Sequence, residues 1–170
     1  MTVLNGFHPI ASVDAKILIL GSMPGVASLD VDQYYAHPRN AFWFILSEVL
    51  GFDLALSYLE RCEQLLANRV AVWDVLSRCE RQGSLDSAIK IDSELVNDFP
   101  LFLTKHPNIR AIYFNGGKAE QVFNRVAKPQ LDDQRQLIFH KLPSTSPAMA
   151  MLTKEQKLDQ WKVIKDVLEL

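Results

Sequence analysis

The chain has 170 residues, a formal net charge of −2 at pH 7, 48% hydrophobic residues and 22% charged residues. This composition is typical of a folded globular protein and excludes a disordered or membrane-embedded class. The length predicts one domain, spanning residues 1–170, with a single core. Because the total charge is slightly acidic, a nucleic-acid ligand would need a local basic patch.

Location and cofactor use are predicted from what the sequence lacks. No apolar run reaches the length of about 20 residues that spans a bilayer, and the N-terminal segment lacks the pattern of a secretory signal. We therefore expect a cytoplasmic monomer that does not contact membranes. The four histidines are scattered, and Cys62 and Cys79 match no zinc spacing. We expect no metal and no cofactor.

Strand and helix patterns alternate along the chain. Short apolar runs that end at polar, glycine or proline residues predict strands at 16–21, 70–76, 109–117 and 135–143. Helical patterns occur at 41–50, 54–68, 93–105, 118–125 and 154–168, and Pro100 should end or kink the third of them. The alternation predicts an α/β fold with three layers, α/β/α, around a central four-stranded, mostly parallel sheet. Such sheets bind ligands beyond the carboxyl ends of their strands.

The segment GSMPG, residues 21–25, directly follows the first predicted strand. Its glycines and proline favour a tight turn whose backbone N–H groups can approach a ligand closely. Gly21, Ser22 and Met23 are therefore candidate ligand-binding residues. A purely structural turn explains the same composition.

The segment YYAHPRNAFW, residues 34–43, concentrates aromatic and polar side chains just before a predicted helix. Its last two aromatics are expected in the core, whereas Tyr34 and Tyr35 lie in a polar loop where an aromatic ring can stack on a base. Asn40 has two interpretations. It is a helix N-cap, or its amide holds a water molecule or contacts a base edge.

Polar residues also follow the other predicted strands. Asp74 ends the second strand and Asn115 ends the third, where each is a turn residue or a ligand contact. The fourth strand leads into LPSTSPA, residues 142–148, a stiff loop that can contact phosphates through hydroxyl and N–H groups. Its candidate contacts are Pro143, Ser144, Thr145 and Ser146.

Taken in order, these segments resemble the uracil-DNA glycosylase superfamily over residues 16–150. GSMPG is similar to the Gly-x-Asn-Pro-Gly motif of the mismatch-specific uracil glycosylases, and AHPRNAFW resembles their Ala-His-Pro-x-Asn-x-Phe-Trp segment. FNGGKA resembles the Leu-Gly-x-x-Ala end of the third strand, and LPSTSPA stands where the superfamily has its Pro-Ser loop. Agreement of four segments in the same order is more specific than any single match.

Departures from that pattern indicate the branch. Met23 occupies the place of the catalytic Asn of the mismatch-specific enzymes, and a thioether cannot activate water. Met at this place, together with HPRN, WDVL, GSLDSAI (residues 83–89) and LPSTSPA, is similar to the hypoxanthine-DNA glycosylase branch. In that branch the functional amide is the Asn of HPRN, which is Asn40. The iron-sulfur branches need four cysteines and are excluded.

The resemblance implies a monofunctional DNA glycosylase, a hydrolase of base excision repair that acts on double-stranded DNA containing a damaged base. It implies that Asn40 is catalytic and that Asp74 accepts a hydrogen bond from the N1–H of flipped hypoxanthine. The other base-binding candidates are Gly21, Ser22, Met23, Tyr35 and Asn115. Phosphates would meet the 143–146 loop and a basic rim that includes Arg39, Lys118 and Lys141.

Three alternatives remain open at this point. A mismatch-specific uracil-DNA glycosylase could tolerate Met23, and a catalytically weak module could bind damaged DNA through the same fold. A small-molecule enzyme is disfavoured because the chain lacks a Gly-rich dinucleotide fingerprint. Asp86 is expected to cap a short helix at 87–90, although its place in GSLDSAI also suits a pocket-lining role.

Overall fold

The computed structural model describes residues 2–169. Its strands are β1 Val3–Asn5, β2 Ile17–Gly21, β3 Val70–Asp74, β4 Leu76–Glu80, β5 Leu95–Val96, β6 Ala111–Asn115 and β7 Ile138–Leu142. The central sheet has four strands in the order β3-β2-β6-β7, and every neighbouring pair is parallel. With helices packed on both faces, the predicted three-layer α/β fold is confirmed.

The helices are α1 Val26–Val31, α2 Phe42–Leu50, α3 Tyr58–Ala67, α4 Phe99–Lys105, α5 Gly117–Val122, α6 Lys154–Trp161 and α7 Ile164–Leu168. The predicted break at Pro100 is wrong, because α4 begins at Phe99 and proline is tolerated in a first turn. The Asp98 side chain caps this helix by accepting from Leu101 N. Among residues 2–169, no helix is long and apolar enough to cross a membrane.

The sequence did not indicate a second, antiparallel sheet of order β1-β4-β5. We predicted one strand over 70–76, but the chain leaves the central sheet after Asp74 and starts β4 at Leu76. The N–H groups of Val75 and Leu76 instead donate to the carbonyls of Gly21 and Ser22. The run over residues 70–76 does not reveal this change of partner strand, because the residues before and after Asp74 are all apolar and mostly buried.

The core lies on both faces of the central sheet. All five residues of β2 are buried, as expected for a central parallel strand. Leu18 and Leu20 pack in a cluster on one face, and Ile17 and Ile19 pack in a cluster on the other. This double burial fixes β2 as the rigid centre of the fold.

Strand order determines where a ligand can enter. The chain passes from β2 to β3 on one side, then crosses to β6 on the other side of β2 and continues to β7. The connections therefore diverge between β2 and β6, which leaves a crevice beyond the carboxyl ends of these two strands. Gly21 ends β2 and Asn115 ends β6, so both lie at this crevice.

Candidate active site at the carboxyl edge of the sheet

Three residues from different segments converge beside the end of β2. A Cβ atom at Gly21 would lie 2.5 Å from Asp74 Oδ1 and 2.9 Å from the Tyr35 hydroxyl, so only glycine allows this approach. Asp74 Oδ2 and the Tyr35 hydroxyl are buried and have no hydrogen-bond partner in the described part of the chain. Buried polar atoms are normally paired, which indicates that a water molecule or ligand pairs with them here.

The Asp74 carboxyl group has an unusual environment. It is 4% exposed, and burial, reinforced by the negative charge of Asp86, raises the pKa of Asp74 to about 7. The Arg81 guanidinium acts in the opposite direction. A carboxyl group that titrates near neutral pH in a crevice is a candidate functional group.

We predict that Asp74→Asn stabilises the protein at pH 8 while changing its stability little at pH 4. Between the ordinary value of 3.8 and the native value of about 7, the native state holds a proton that the unfolded state has lost. The free energy of unfolding of the wild type therefore falls as pH rises through this window. The neutral amide of the variant does not titrate, so the two unfolding curves should separate towards high pH.

Denaturant unfolding at several pH values measures this difference. Asp159→Asn is the matched control, because it removes the same charge from a side chain that is 75% exposed. Parallel stability profiles for the wild type and Asp74→Asn would contradict the assigned environment of Asp74.

Of the two tyrosines, only Tyr35 reaches the crevice. Its backbone has φ +56°, a left-handed conformation uncommon for a residue with a side chain, and its ring stacks on Phe42 with centroids 3.9 Å apart. Burial and the charge of Asp74 raise the pKa of Tyr35 well above its usual range, against an opposing effect of Asn115. Tyr34 is a core residue, 4% exposed, whose hydroxyl donates to His8 O at 2.8 Å.

Asn40 is half-buried and, together with Tyr35, lines a groove next to this site. Its Oδ1 accepts a hydrogen bond from Phe42 N at 3.0 Å, in the first turn of α2. This bond orients the amide, whose N–H groups have no partner among residues 2–169. The N-cap position of α2 is occupied by Ala41 and no side chain caps the helix, so the predicted N-cap role of Asn40 is wrong, whereas its role as a donor at the site stays a prediction.

The buried Arg81 side chain stabilises the 21–25 turn. No sequence motif marked this residue. Arg81 is 2% exposed. It donates from Nη2 to Pro24 O at 2.6 Å and from Nε to Gly83 O at 2.8 Å. Met23 is 7% exposed and packs in the core cluster beneath the turn. An isolated arginine after a strand has no local pattern that marks it as buried, so only the fold reveals this role.

Asp86 contacts the turn directly. Ser22 Oγ donates to Asp86 Oδ1 at 2.5 Å. The predicted capping role is wrong, because Leu85 occupies the N-cap position of the short 3₁₀ helix and no side chain caps it. Asp86 therefore lines the edge of the site, near Asp74.

Asn115 and Thr145 join β6 to the loop that follows β7. Asn115 Nδ2 donates to Thr145 Oγ1 at 3.0 Å, and Thr145 N donates to Asn115 Oδ1 at 2.9 Å. Thr145 is 1% exposed, so a direct phosphate contact by its side chain, as predicted, does not fit this burial. These paired bonds leave Asn115 one amide N–H for any ligand.

The neighbouring loop residues are more accessible. Pro143, Ser144 and Ser146 are half-buried. Their backbone is fixed from behind by α6, since Trp161 Nε1 donates to Pro143 O at 2.9 Å and Lys157 Nζ donates to Ser146 O at 3.1 Å. The loop is therefore a rigid surface beside the crevice.

The predicted basic rim is reduced by one member. Arg39 and Lys141 are exposed, whereas Lys118 forms an ion pair with Glu94 at 2.8 Å. Glu94 also pairs with Arg125, at 2.6 Å. Lys118 therefore shares one carboxylate with Arg125, and its side chain is only 14% exposed, so it does not belong to the accessible rim. Within residues 2–169, no group of three or more His, Cys, Asp or Glu side chains could hold a metal ion.

Two curated relatives are similar over most of their length. A hypoxanthine DNA glycosylase of Methanosarcina barkeri (strain Fusaro / DSM 804) is 40% identical over 116 residues, 68% of this chain and 72% of the relative. One of Methanosarcina acetivorans is 38% identical over 118 residues, 69% of this chain and 73% of the relative.

Structure and family comparisons agree with these relatives. The solution NMR structure of a candidate uracil DNA glycosylase from Methanosarcina acetivorans superposes with a TM-score of 0.82 and 30% identity. The match covers 99% of this chain and all of that one. The family model of the uracil DNA glycosylase superfamily matches residues 8–168. The chain therefore belongs to the uracil DNA glycosylase superfamily.

Proposed function

We propose that this protein is a monofunctional DNA glycosylase that hydrolyses the N-glycosidic bond of deoxyinosine in double-stranded DNA and releases hypoxanthine. The observation that supports it best is the buried Asp74 carboxyl group, whose Oδ1 faces Gly21 and whose Oδ2 has no hydrogen-bond partner among the described residues. The names of the two relatives, both hypoxanthine DNA glycosylases, support the same substrate.

Base recognition follows from hydrogen-bonding chemistry. The target nucleotide must be flipped out of the stack to bring its glycosidic bond into a pocket. In its ionised form, which predominates above the pKa of about 7, Asp74 accepts the N1–H of hypoxanthine, whereas N1 of adenine is itself an acceptor and is repelled. Gly21, Ser22 and Met23 form the wall beside the base, and the Tyr35 ring, held flat by Phe42, packs against it.

The chemical step needs an oriented water molecule. Asn40 positions this water on C1′, since its amide is already fixed by the bond to Phe42 N. The C1′–N9 bond breaks with its electron pair remaining on hypoxanthine, and a bond forms between C1′ and the water oxygen. The water loses a proton to solvent, and hypoxanthine gains one. Backbone donors of the 21–25 turn stabilise the departing anion.

The remaining predicted residues contact the DNA backbone. Ser144, Ser146 and Arg39 bind phosphates, and Pro143 keeps the loop stiff. Thr145 contributes indirectly, by holding the loop against Asn115.

Labelled duplexes that contain deoxyinosine, uracil or 3-methyladenine test this function. After incubation, alkali cleaves the strand wherever a base has been removed. Cleavage of the deoxyinosine duplex and little cleavage of the others supports the proposal. Equal cleavage of the uracil duplex would favour a mismatch-specific uracil glycosylase, and no cleavage would favour a module that only binds damage.

We predict that Gly21→Ala lowers the rate of hypoxanthine release by up to about 10²-fold, because a displacement near 1 Å has that cost. The new methyl group would overlap Asp74 Oδ1 and the Tyr35 hydroxyl and force both away. Gly117→Ala is the matched control, since its Cβ would meet nothing within 4 Å. Single-turnover rates of the two variants decide the point, and an unimpaired Gly21→Ala would remove this convergence from the site.

A further inference from the structure

A groove of about 510 Å³ lies beside the candidate active site and outside it. Its walls are the 33–41 loop, the start of α2, Arg61 of α3 and Lys154 at the start of α6. It shares Tyr35 and Asn40 with the active site but includes neither Asp74 nor the 21–25 turn. We call this cavity the basic groove.

The lining of the basic groove is cationic. Arg39, Arg61 and Lys154 contribute to it, and no carboxylate of the described residues does. None of these three forms an ion pair with a described carboxylate. In a chain with net charge −2, a concentration of unneutralised cations in one cavity indicates an anionic ligand.

Two of these cations are held in place by aromatic rings. The Arg61 guanidinium lies 4.8 Å from the centroid of the Trp43 ring, and Lys154 Nζ lies 4.4 Å from that of Phe44. Arg61 Nε is buried and has no hydrogen-bond partner in residues 2–169. The donors are therefore oriented before any ligand arrives, which lowers the entropic cost of binding.

We propose that the basic groove binds the phosphodiester backbone of the DNA strand that contains the flipped nucleotide. This rests on the proposed function, because it takes DNA as the ligand. Tyr35 lies both beside Gly21 and in the lining of the groove, so a strand with one nucleotide at Gly21 continues along this segment into the groove. Arginine and lysine donors are the groups that contact phosphate in such complexes.

Binding to an undamaged duplex tests the groove independently of catalysis. We expect Arg61→Gln and Lys154→Gln each to flatten the slope of log binding constant against log salt concentration by about 1, the effect of one lost phosphate contact. Fluorescence anisotropy of a labelled duplex over a range of KCl concentrations measures the slope. Arg61→Lys should keep the slope of the wild type, since it retains the charge.

Matched controls remove the same charges elsewhere. Arg69→Gln and Lys162→Gln change residues that pair with Asp14 and Asp159 and do not line the groove; both should keep the wild-type slope. Thermal unfolding checks whether Arg61→Gln remains folded, because Arg61 packs on Trp43. Lys154 is exposed and does not make that contact, so Lys154→Gln tests the groove without this risk.

Unchanged slopes for both groove variants would overturn the proposal. The proposal would also be overturned if a deoxynucleoside monophosphate displaced the duplex from the wild type at constant ionic strength but not from Arg61→Gln. The groove would then hold a free nucleotide. Release of hypoxanthine is measured separately. A flattened slope in a protein that releases no base would disprove the glycosylase function and leave the groove assignment standing.

Discussion

Asn40→Ala is expected to lower the single-turnover rate of hypoxanthine release by about 10²- to 10³-fold, the usual cost of removing one preorganised hydrogen-bonding group. The amide is fixed by the bond from Phe42 N to its Oδ1, so its N–H groups point in a set direction before substrate arrives. Because this single bond lies in the turn before α2, whose N-cap position is occupied by Ala41, the variant should remain folded. Rate and melting temperature are measured on the same preparation.

Two further variants separate the catalytic role of Asn40 from the structural role of its bond to Phe42 N. Asn40→Asp keeps an oxygen that can accept from Phe42 N but loses the amide donors, so it should recover stability without recovering the rate. Asn68→Ala removes another Asn side chain that bonds to backbone, at the end of α3, and should leave the rate unchanged. If Asn40 only held the turn before α2, its replacement by Ala would cost about 1 kcal/mol of stability, the usual value of one hydrogen bond, with near-normal release, which would exclude Asn40 from the chemistry.

Three strands of the central sheet were predictable because each has a strong local pattern, whereas β7 is largely exposed. β2, β3 and β6 are apolar runs that end at glycine, aspartate or asparagine, as buried parallel strands should. The turn after β2 could be located for the same reason. The small sheet was not predictable, because β4 continues the apolar run of β3 with a new partner and β5 has only two residues.

Long-range contacts explain what the sequence left undecided at the site. Thr145 looks like an ordinary loop residue, and only its bonds to Asn115 show that it is buried. Arg81 and Asp86 belong to a segment far from the 21–25 turn in sequence, yet they contact it. Arg61 faces the basic groove only because α3 packs against Trp43.

Selectivity for the base is the other large effect that we expect. Hypoxanthine should be released faster than adenine by several powers of ten, since a buried polar group left unpaired by the wrong base can discriminate to about that extent. Asp74 supplies this group, being 4% exposed with one oxygen unpaired. Asp74→Ala should therefore lower the ratio of the hypoxanthine rate to the adenine rate, measured on duplexes that differ only in the target base.

Met23 should control the choice between purine and pyrimidine. It is 7% exposed, and as part of the proposed wall beside the base its flexible apolar side chain suits the wider base. Met23→Asn restores the amide of the uracil-cutting relatives at this place, so it should raise uracil release, whereas Met23→Leu, which keeps an apolar wall, should not. Release of uracil as fast as hypoxanthine by the wild type would refute this assignment, because neither Asp74 nor Met23 would then select the base.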